Sequence, residues 1–152
     1  MIKMINVFLV IGALFLIVGL SINVHGKTIS DEKDMIYGIS FTTDRIVYSV
    51  GDPIKMSLKI LNYTDEEITL KFNTSQRYEF IIEDRQGNEF WRWSQGRMFT
   101  MVTEVEVLGP TNPEMVGTET FSYTLIPGYY KITGIFLSEN RPMSGNITIE
   151  VR

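Results

Sequence analysis

The feature that most constrains the fold of this chain is an alternation of apolar and polar residues with a period of two. It is clearest from Ile54 to Ile60, where every second residue is apolar. This period belongs to a β-strand with one buried face, whereas an amphipathic helix repeats every 3.6 residues. The pattern predicts about eight or nine short strands between residues 36 and 152, and no helix. The apolar residues of the predicted strands are Ile54, Met56, Leu58 and Ile60; Ile68, Leu70 and Phe72; Tyr78, Phe80 and Ile82; Met101, Val105 and Val107; Phe121, Tyr123 and Leu125; Tyr130, Ile132, Gly134 and Phe136; and Ile147, Ile149 and Val151.

Turn-forming segments separate these strands. The clearest are 62–67, 85–88, 109–113 and 127–128, which are rich in Gly, Pro, Asn and Asp. Sheets with one apolar face must bury that face against another layer, and many short strands favour two packed sheets. We therefore expect an all-β fold, an immunoglobulin-like antiparallel β-sandwich. The spacing of Tyr130 after Pro127-Gly128 predicts a tyrosine corner, in which the hydroxyl bonds to upstream backbone.

The N-terminal segment has the pattern of an export signal. Lys3 precedes an uninterrupted apolar run from Val7 to Leu20, and Val24-His25-Gly26 offers a cleavage site after Gly26. The alternative is an uncleaved membrane anchor, although the run is short for a bilayer span of about 20 residues. Both place the remaining chain outside the cytoplasm, secreted or N-terminally anchored. We expect a signal peptide or anchor at 1–26, a polar tether at 27–35 and the sandwich domain at 36–152.

Composition excludes several chemistries. The chain has no cysteine, and its one histidine, His25, lies in the segment that cleavage removes. Disulfides, a cysteine nucleophile and a Ser-His-Asp triad are therefore excluded for the processed domain. The acidic runs at 31–34 and 65–67 lack the spacing of a calcium loop, and a net charge of −4 disfavours nucleic-acid binding. We expect a non-enzymatic protein with no metal, no cofactor and no nucleic-acid partner.

Trp91 and Trp93 fall on one face of a predicted strand, 89–94. Because tryptophan buries a large area, we expect both in the core, with Phe90 and Arg92 pointing outward. Arg92 would then pair with Glu79 or Glu83 of the neighbouring strand. The alternative is a half-exposed aromatic platform for sugar or peptide.

From about Tyr48 to Phe136 the chain resembles the BsuPI-type intracellular proteinase inhibitor family. The resemblance rests on the Asn62 turn, the Leu70-x-Phe72 strand and Phe99, together with a set of motif residues whose roles we expect to be mainly structural. It implies an immunoglobulin-like sandwich and inhibition of serine proteases of the subtilisin type. The namesake of the family is cytoplasmic, whereas this chain begins with an export signal. The motif residues are Gln76, Tyr78, Phe80, Gly87, Trp91, Trp93, Ser94, Pro127, Gly128 and Tyr130.

An inhibitor needs an exposed and preorganised loop, because ordering a flexible loop costs affinity. Three loops are candidates. Segment 95–99 offers Met98 or Phe99 to an apolar pocket, and segment 138–145 contains Arg141 followed by a proline. Segment 109–117 ranks first because its prolines limit flexibility; its candidate residues are Pro110, Pro113 and Met115.

Two functions follow from this sequence. The first is a protein-binding domain that acts outside the cytoplasmic membrane as a proteinase inhibitor, with a protein partner, in particular a serine protease. Membrane contact would arise only through an uncleaved N-terminal segment. The alternative is a structural or adhesive module of the cell envelope that binds peptide or glycan.

Overall fold

The computed structural model describes residues 37–152. The predicted signal or anchor at 1–26, the tether at 27–35 and the acidic run at 31–34 lie outside the described residues. The described part forms ten strands: β1 (Tyr37–Thr43), β2 (Val47–Tyr48), β3 (Ile54–Asn62), β4 (Ile68–Phe72), β5 (Tyr78–Glu83), β6 (Glu89–Arg92), β7 (Glu104–Leu108), β8 (Glu114–Phe121), β9 (Gly128–Phe136) and β10 (Met143–Val151).

The strands form an immunoglobulin-like sandwich. One sheet has the order β1-β3-β8 and the other the order β2-β10-β9-β5-β6, while β4 and β7 pair as a separate ribbon. All pairs are antiparallel except β2 with β10, which is parallel. The two sheets meet closely: a Cβ placed on Gly134 of β9 would lie 2.8 Å from the ring of Phe41 in β1.

Both sheets contribute their apolar faces to one core. Alternation is regular in β3, β4, β9 and β10, as the sequence predicts. Aromatic rings join the layers, with Phe41 5.9 Å from Phe80 and Phe72 5.5 Å from Phe136 between ring centroids. Burial of each large apolar side chain stabilises the fold by about 1.5–3 kcal/mol. A core of this kind can therefore stabilise the domain without disulfides.

The tyrosine corner is present. The Tyr130 hydroxyl donates a hydrogen bond to the carbonyl of Ile126 at 2.9 Å. The predicted hairpin between β5 and β6 also forms, with Gly87 at φ 83°, a conformation that side-chain-bearing residues rarely adopt. The Asp84 carboxylate accepts hydrogen bonds from the backbone N–H groups of Gln86 and Asn88, both at 2.9 Å, and the bonds to Asn88 hold its pKa below the usual value.

Strand β7 presents the opposite face to the one predicted. Val105 and Val107 are 56% and 43% exposed, while Glu104 and Glu106 are half-buried. The reason is Arg77, whose guanidinium pairs with both glutamates and lies 4.3 Å over the ring of Phe72.

The strand predicted over Phe121, Tyr123 and Leu125 is also placed differently. Strand β8 ends at Phe121, Leu125 is buried after it, and Tyr123 is exposed. Residues 37–152 contain no helix and therefore no helical segment long enough to cross a membrane.

Candidate functional site

The segment that follows Trp93, residues 94–103, leaves the edge of the five-stranded sheet and reaches the ribbon strand β7; we call it the Trp93 loop. It begins at a buried carboxylate. Glu79 is 4% exposed and accepts hydrogen bonds from the backbone N–H of Ser94 at 3.0 Å and from the Gln76 side chain at 3.2 Å. The Arg92 Nη1 atom lies 3.7 Å from Glu79 Oε2, the oxygen that accepts from Gln76. The buried Glu79 carboxylate, together with the motif residues Gln76 and Ser94, therefore fixes the position where the loop starts.

Trp93 is the support of the loop. Its indole is 9% exposed and packs against the ring of Tyr78, 4.8 Å away. Tyr78 is fixed in turn by Gly117 of β8, where a Cβ would lie 2.5 Å from the Tyr78 ring. Burial, and then the charge of Glu119, raise the pKa of Tyr78, so its phenol stays neutral. The indole is thus held against Tyr78, whose own ring is packed against β8.

Two residues of the loop rest on this indole. The Arg97 guanidinium lies 4.4 Å above the Trp93 ring, and its Nε–H donates to the Trp93 carbonyl at 3.0 Å. The ring of Phe99 lies 5.6 Å from the Trp93 ring. Between Ser94 and Arg97 the chain makes a turn closed by an N–H···O bond of 3.0 Å, with Gly96 at φ 77° as the turn requires.

A further anchor follows at Thr100. Its backbone N–H donates to the Ser75 hydroxyl at 3.0 Å, and its carbonyl accepts from the Ser75 backbone N–H at 3.0 Å. The side chains between and beyond the anchors remain open: Met98 is 97% exposed and Met101 85%. The Trp93 loop therefore combines a fixed backbone with exposed apolar side chains.

The loop ranked first from the sequence is shorter than predicted. Residues 109–113 form a tight turn with a bridge between Gly109 and Asn112, and Pro110 and Pro113 are exposed there. Met115, predicted in the loop, lies in β8, pairs with Ile60 and is half-buried against the core. Only the two prolines remain at the tip.

The third predicted loop packs down onto strand β4. The Asn140 side chain accepts from the backbone N–H of Lys71 and donates to the Thr69 carbonyl, both at 2.9 Å. Arg141 is half-buried with its guanidinium 4.7 Å over the ring of Tyr37. The segment is therefore held against β4, although Glu139, Asn140 and Pro142 remain exposed.

The two tryptophans face inward, as predicted. Trp91 is half-buried against Phe121, with 5.3 Å between ring centroids. Phe90 was expected to point outward, but the register shift in the β5–β6 pair turns its half-exposed ring towards Phe121 as well, 6.2 Å away. Arg92 pairs with Glu79, one of its two predicted partners, and also with Glu89 at 2.6 Å. The hydrogen bond from Arg92 to Glu89 raises the pKa of the guanidinium.

Three supports of the loop were not foreseen from the sequence: the burial of Glu79, the contact of Arg97 with Trp93, and the bonds from Ser75 to Thr100. The bonds of Glu79 with Ser94 and of Ser75 with Thr100 join residues 15 and 25 positions apart. The contact of Arg97 with Trp93 spans four positions but belongs to no motif that the sequence shows. Within residues 37–152 no group of three or more carboxylate or histidine side chains gathers as metal ligands.

Comparison with known proteins supports the fold and the family resemblance. A family model described as intracellular proteinase inhibitor, BsuPI, matches residues 41–141. Among solved structures, the C-terminal domain of wzt superposes with a TM-score of 0.50 at 11% identity, covering 77% of this chain and 74% of that one. Spo0M from Bacillus subtilis gives 0.48 at 10% identity, covering 77% and 49%. The CARDB domain of PF1109 from Pyrococcus furiosus gives 0.45 at 15% identity, covering 76% and 87%. No curated protein sequence matches the chain.

Proposed function

Because the chain belongs to the BsuPI family of intracellular proteinase inhibitors, we propose that it is a non-enzymatic, protein-binding inhibitor of a subtilisin-type serine protease. The observation that carries this proposal is the Trp93 loop, which holds an exposed apolar segment on a fixed backbone. Its fixed points are Ser94, Arg97, Phe99 and Thr100.

The loop has the physical properties that binding to a protease cleft demands. A tight complex buries roughly 800 Å² on each partner, and every flexible residue that becomes ordered subtracts from the affinity. Residues 97–103 belong to no strand, so part of their backbone is free to pair with an extended edge of the partner. Aromatic packing on Trp93 supplies the stiffness that disulfides supply in many small inhibitors.

We further propose that the protein acts outside the cytoplasmic membrane, on the basis of the apolar run from Val7 to Leu20. The test is to fractionate cells that express the full chain and sequence its N-terminus. A chain that begins at Lys27 outside the cells supports secretion, and a full-length chain in the membrane fraction supports an anchor. A full-length chain in the cytosol contradicts the proposal.

The envelope-module alternative would use an exposed Trp91 or Trp93 to bind peptide or glycan. Trp93 is buried and its ring is covered by Tyr78, Arg97 and Phe99, so it offers no free face to a sugar ring. Trp91 is half-buried, with its ring 5.3 Å from that of Phe121. Neither tryptophan forms an open platform, and inhibition is the better supported of the two functions.

The test of inhibition is a titration of active subtilisin with the purified full chain, kept in solution by a mild detergent, while peptide hydrolysis is followed. Stoichiometric loss of activity with the inhibitor intact on a gel is expected. A variant in which residues 98–102 are replaced by glycine and serine should lose inhibition. A Pro110→Ala, Pro113→Ala variant is the matched control and should retain it. Full protease activity throughout, or digestion of the chain, would refute the proposal.

A further inference from the structure

We propose that Met98 is the side chain that enters the specificity pocket of the protease, and that the Met98–Phe99 peptide bond is the bond presented to the catalytic serine. This inference rests on the proposed inhibitory function and specifies its contact residue. It is carried by the position of Met98 between two residues that are held on the same indole.

The geometry singles out one residue of the loop. Arg97 and Phe99 both contact Trp93, so their side chains point at the domain. Met98 lies between them and is 97% exposed, which means that its side chain points away from the domain. A residue that fills a pocket on a partner needs two anchored neighbours and a side chain that is exposed to the partner.

The chemistry of methionine suits an apolar pocket. Its side chain is unbranched, flexible and apolar, and it adapts to pockets of irregular shape. Met101 is also exposed, but only the residue before it, Thr100, is anchored. The residue after Met101 makes no contact like that of Phe99 with Trp93. Val102 is branched at Cβ, 43% exposed and next to Met101. Met98 is therefore the exposed apolar residue of the loop that has an anchored neighbour on each side.

The contacts of Arg97 and Phe99 with Trp93 also explain how the chain would resist digestion. Attack of the protease serine oxygen on the Met98 carbonyl carbon forms an ester and breaks the bond to the Phe99 nitrogen. The serine proton passes through the protease histidine to that nitrogen, which becomes a free amine. Phe99 stays packed on Trp93, and so does Arg97, which is joined to the acylated Met98. The new amine is therefore held close to the ester, at a high effective concentration. Its attack on the ester reforms the peptide bond and returns the serine.

A change of specificity tests this assignment. The full chain and its Met98→Lys and Met98→Asp variants are titrated against subtilisin and against trypsin, whose pocket accepts a cationic side chain. Met98→Lys should inhibit trypsin at least about 100-fold more strongly than the original chain does, because the lysine ammonium pairs with the charged group of the trypsin pocket. Met98→Asp should weaken inhibition of subtilisin by about 100-fold, because a carboxylate is then buried in an apolar pocket. The urea midpoints of both variants should be unchanged, since Met98 is exposed.

Ile126→Lys and Ile126→Asp are the matched controls, because Ile126 is an apolar residue that is 73% exposed outside the Trp93 loop, and they should alter neither inhibition. Met101→Lys is the comparison within the loop and should not create inhibition of trypsin. If the original chain inhibits subtilisin and the Met98 variants behave as it does, the assignment of Met98 is wrong while the inhibitory function stands. If the original chain does not inhibit subtilisin and Met98→Lys does not inhibit trypsin, both proposals fail. Transfer of trypsin inhibition to Met101→Lys would overturn the assignment in favour of Met101.

Discussion

The Glu79 carboxylate accepts a hydrogen bond from the backbone N–H of Ser94 at 3.0 Å. It joins β5, the strand next to the edge of the five-stranded sheet, to the first residue of the Trp93 loop. Glu79 also accepts from Gln76 and lies near the Arg92 guanidinium. Because the buried carboxylate holds the backbone amide of Ser94, the loop starts from a fixed position.

Glu79→Gln should destabilise the domain by about 1–3 kcal/mol, because an amide group offers one acceptor oxygen where the carboxylate offers two. The measurement is the free energy of unfolding from urea denaturation. Glu83→Gln is the matched control on the same strand. Its 2.8 Å pair with Lys131 is partly exposed, so its loss should cost under about 1 kcal/mol. Equal effects of the two substitutions would contradict the role given to Glu79.

Arg97→Ala should weaken inhibition about 10-fold and speed cleavage of the Met98–Phe99 bond, because a ring contact and a hydrogen bond worth roughly 1–2 kcal/mol together are lost. The measurements are the inhibition constant and the rate at which the cleaved chain appears by mass spectrometry. Arg85→Ala removes a similar ring contact, 4.2 Å over Tyr129 and away from the loop, and should change neither. Slower cleavage in Arg97→Ala would contradict the role given to the contact between Arg97 and Trp93.

Tyr130→Phe should lower the free energy of unfolding by about 0.5–1.5 kcal/mol, since it deletes the hydrogen bond to the Ile126 carbonyl and keeps the buried ring. The neighbouring Tyr129 is 42% exposed, so Tyr129→Phe serves as the control and should be close to neutral. Urea denaturation compares the two directly. A neutral Tyr130→Phe would mean that the corner hydroxyl contributes nothing to stability.

Gly117→Ala should destabilise the domain by about 1–3 kcal/mol through overpacking. The new methyl group would lie 2.5 Å from the Tyr78 ring, and Tyr78 supports Trp93. We therefore also expect a shift in tryptophan fluorescence. At Gly109 the nearest atom to a new methyl is 3.5 Å away, so Gly109→Ala is the control. If Gly117→Ala is destabilised but its tryptophan fluorescence is unchanged, Tyr78 does not support Trp93 as described here.

Stability should fall between pH 10 and about 12 because of Tyr48. Burial, and then the hydrogen bond to Asp44, raise the pKa of Tyr48 to about 12 from an ordinary value of 10.0. In this window the folded chain keeps a proton that the unfolded chain releases, so the free energy of unfolding decreases as pH rises. Below pH 10 the contribution is fully present.

Urea midpoints measured from pH 9 to 11.5 should therefore decline, and Tyr48→Phe should reduce the slope of the decline. Some slope should persist in the variant, since burial and the Glu119 charge also raise the pKa of Tyr78. A Tyr48→Phe chain with the slope of the original would contradict this account.

The regular parts of the fold were predictable because their patterns are local. The alternation in β3 and β9 and the spacing of Tyr130 after Pro127-Gly128 depend on neighbours within a few residues, and the structure confirms them. The face of β7 was not predictable. Val105 and Val107 look like core residues in sequence, but Arg77, far away along the chain, draws the intervening glutamates inward.

The loop supports escaped prediction for the same reason. Proline content favoured the segment that begins at Gly109, whereas the stiffness of the Trp93 loop comes from packing on an indole and from bonds to Ser75 and Glu79. In a sequence, Glu79 is a charged residue at an outward strand position. Only the approach of Ser94, fifteen residues later, makes it a buried acceptor.

The most direct test of the central claim is a hydrogen-exchange footprint of the full chain bound to a subtilisin-type protease whose catalytic serine is replaced by alanine. Such a protease binds without cleaving, so protection reports contact alone. We predict that peptides covering residues 94–103 become protected on binding, while those covering 109–113 and 138–142 do not. Protection confined to other parts of the chain, with 94–103 unchanged, would contradict the claim that the Trp93 loop is the inhibitory surface.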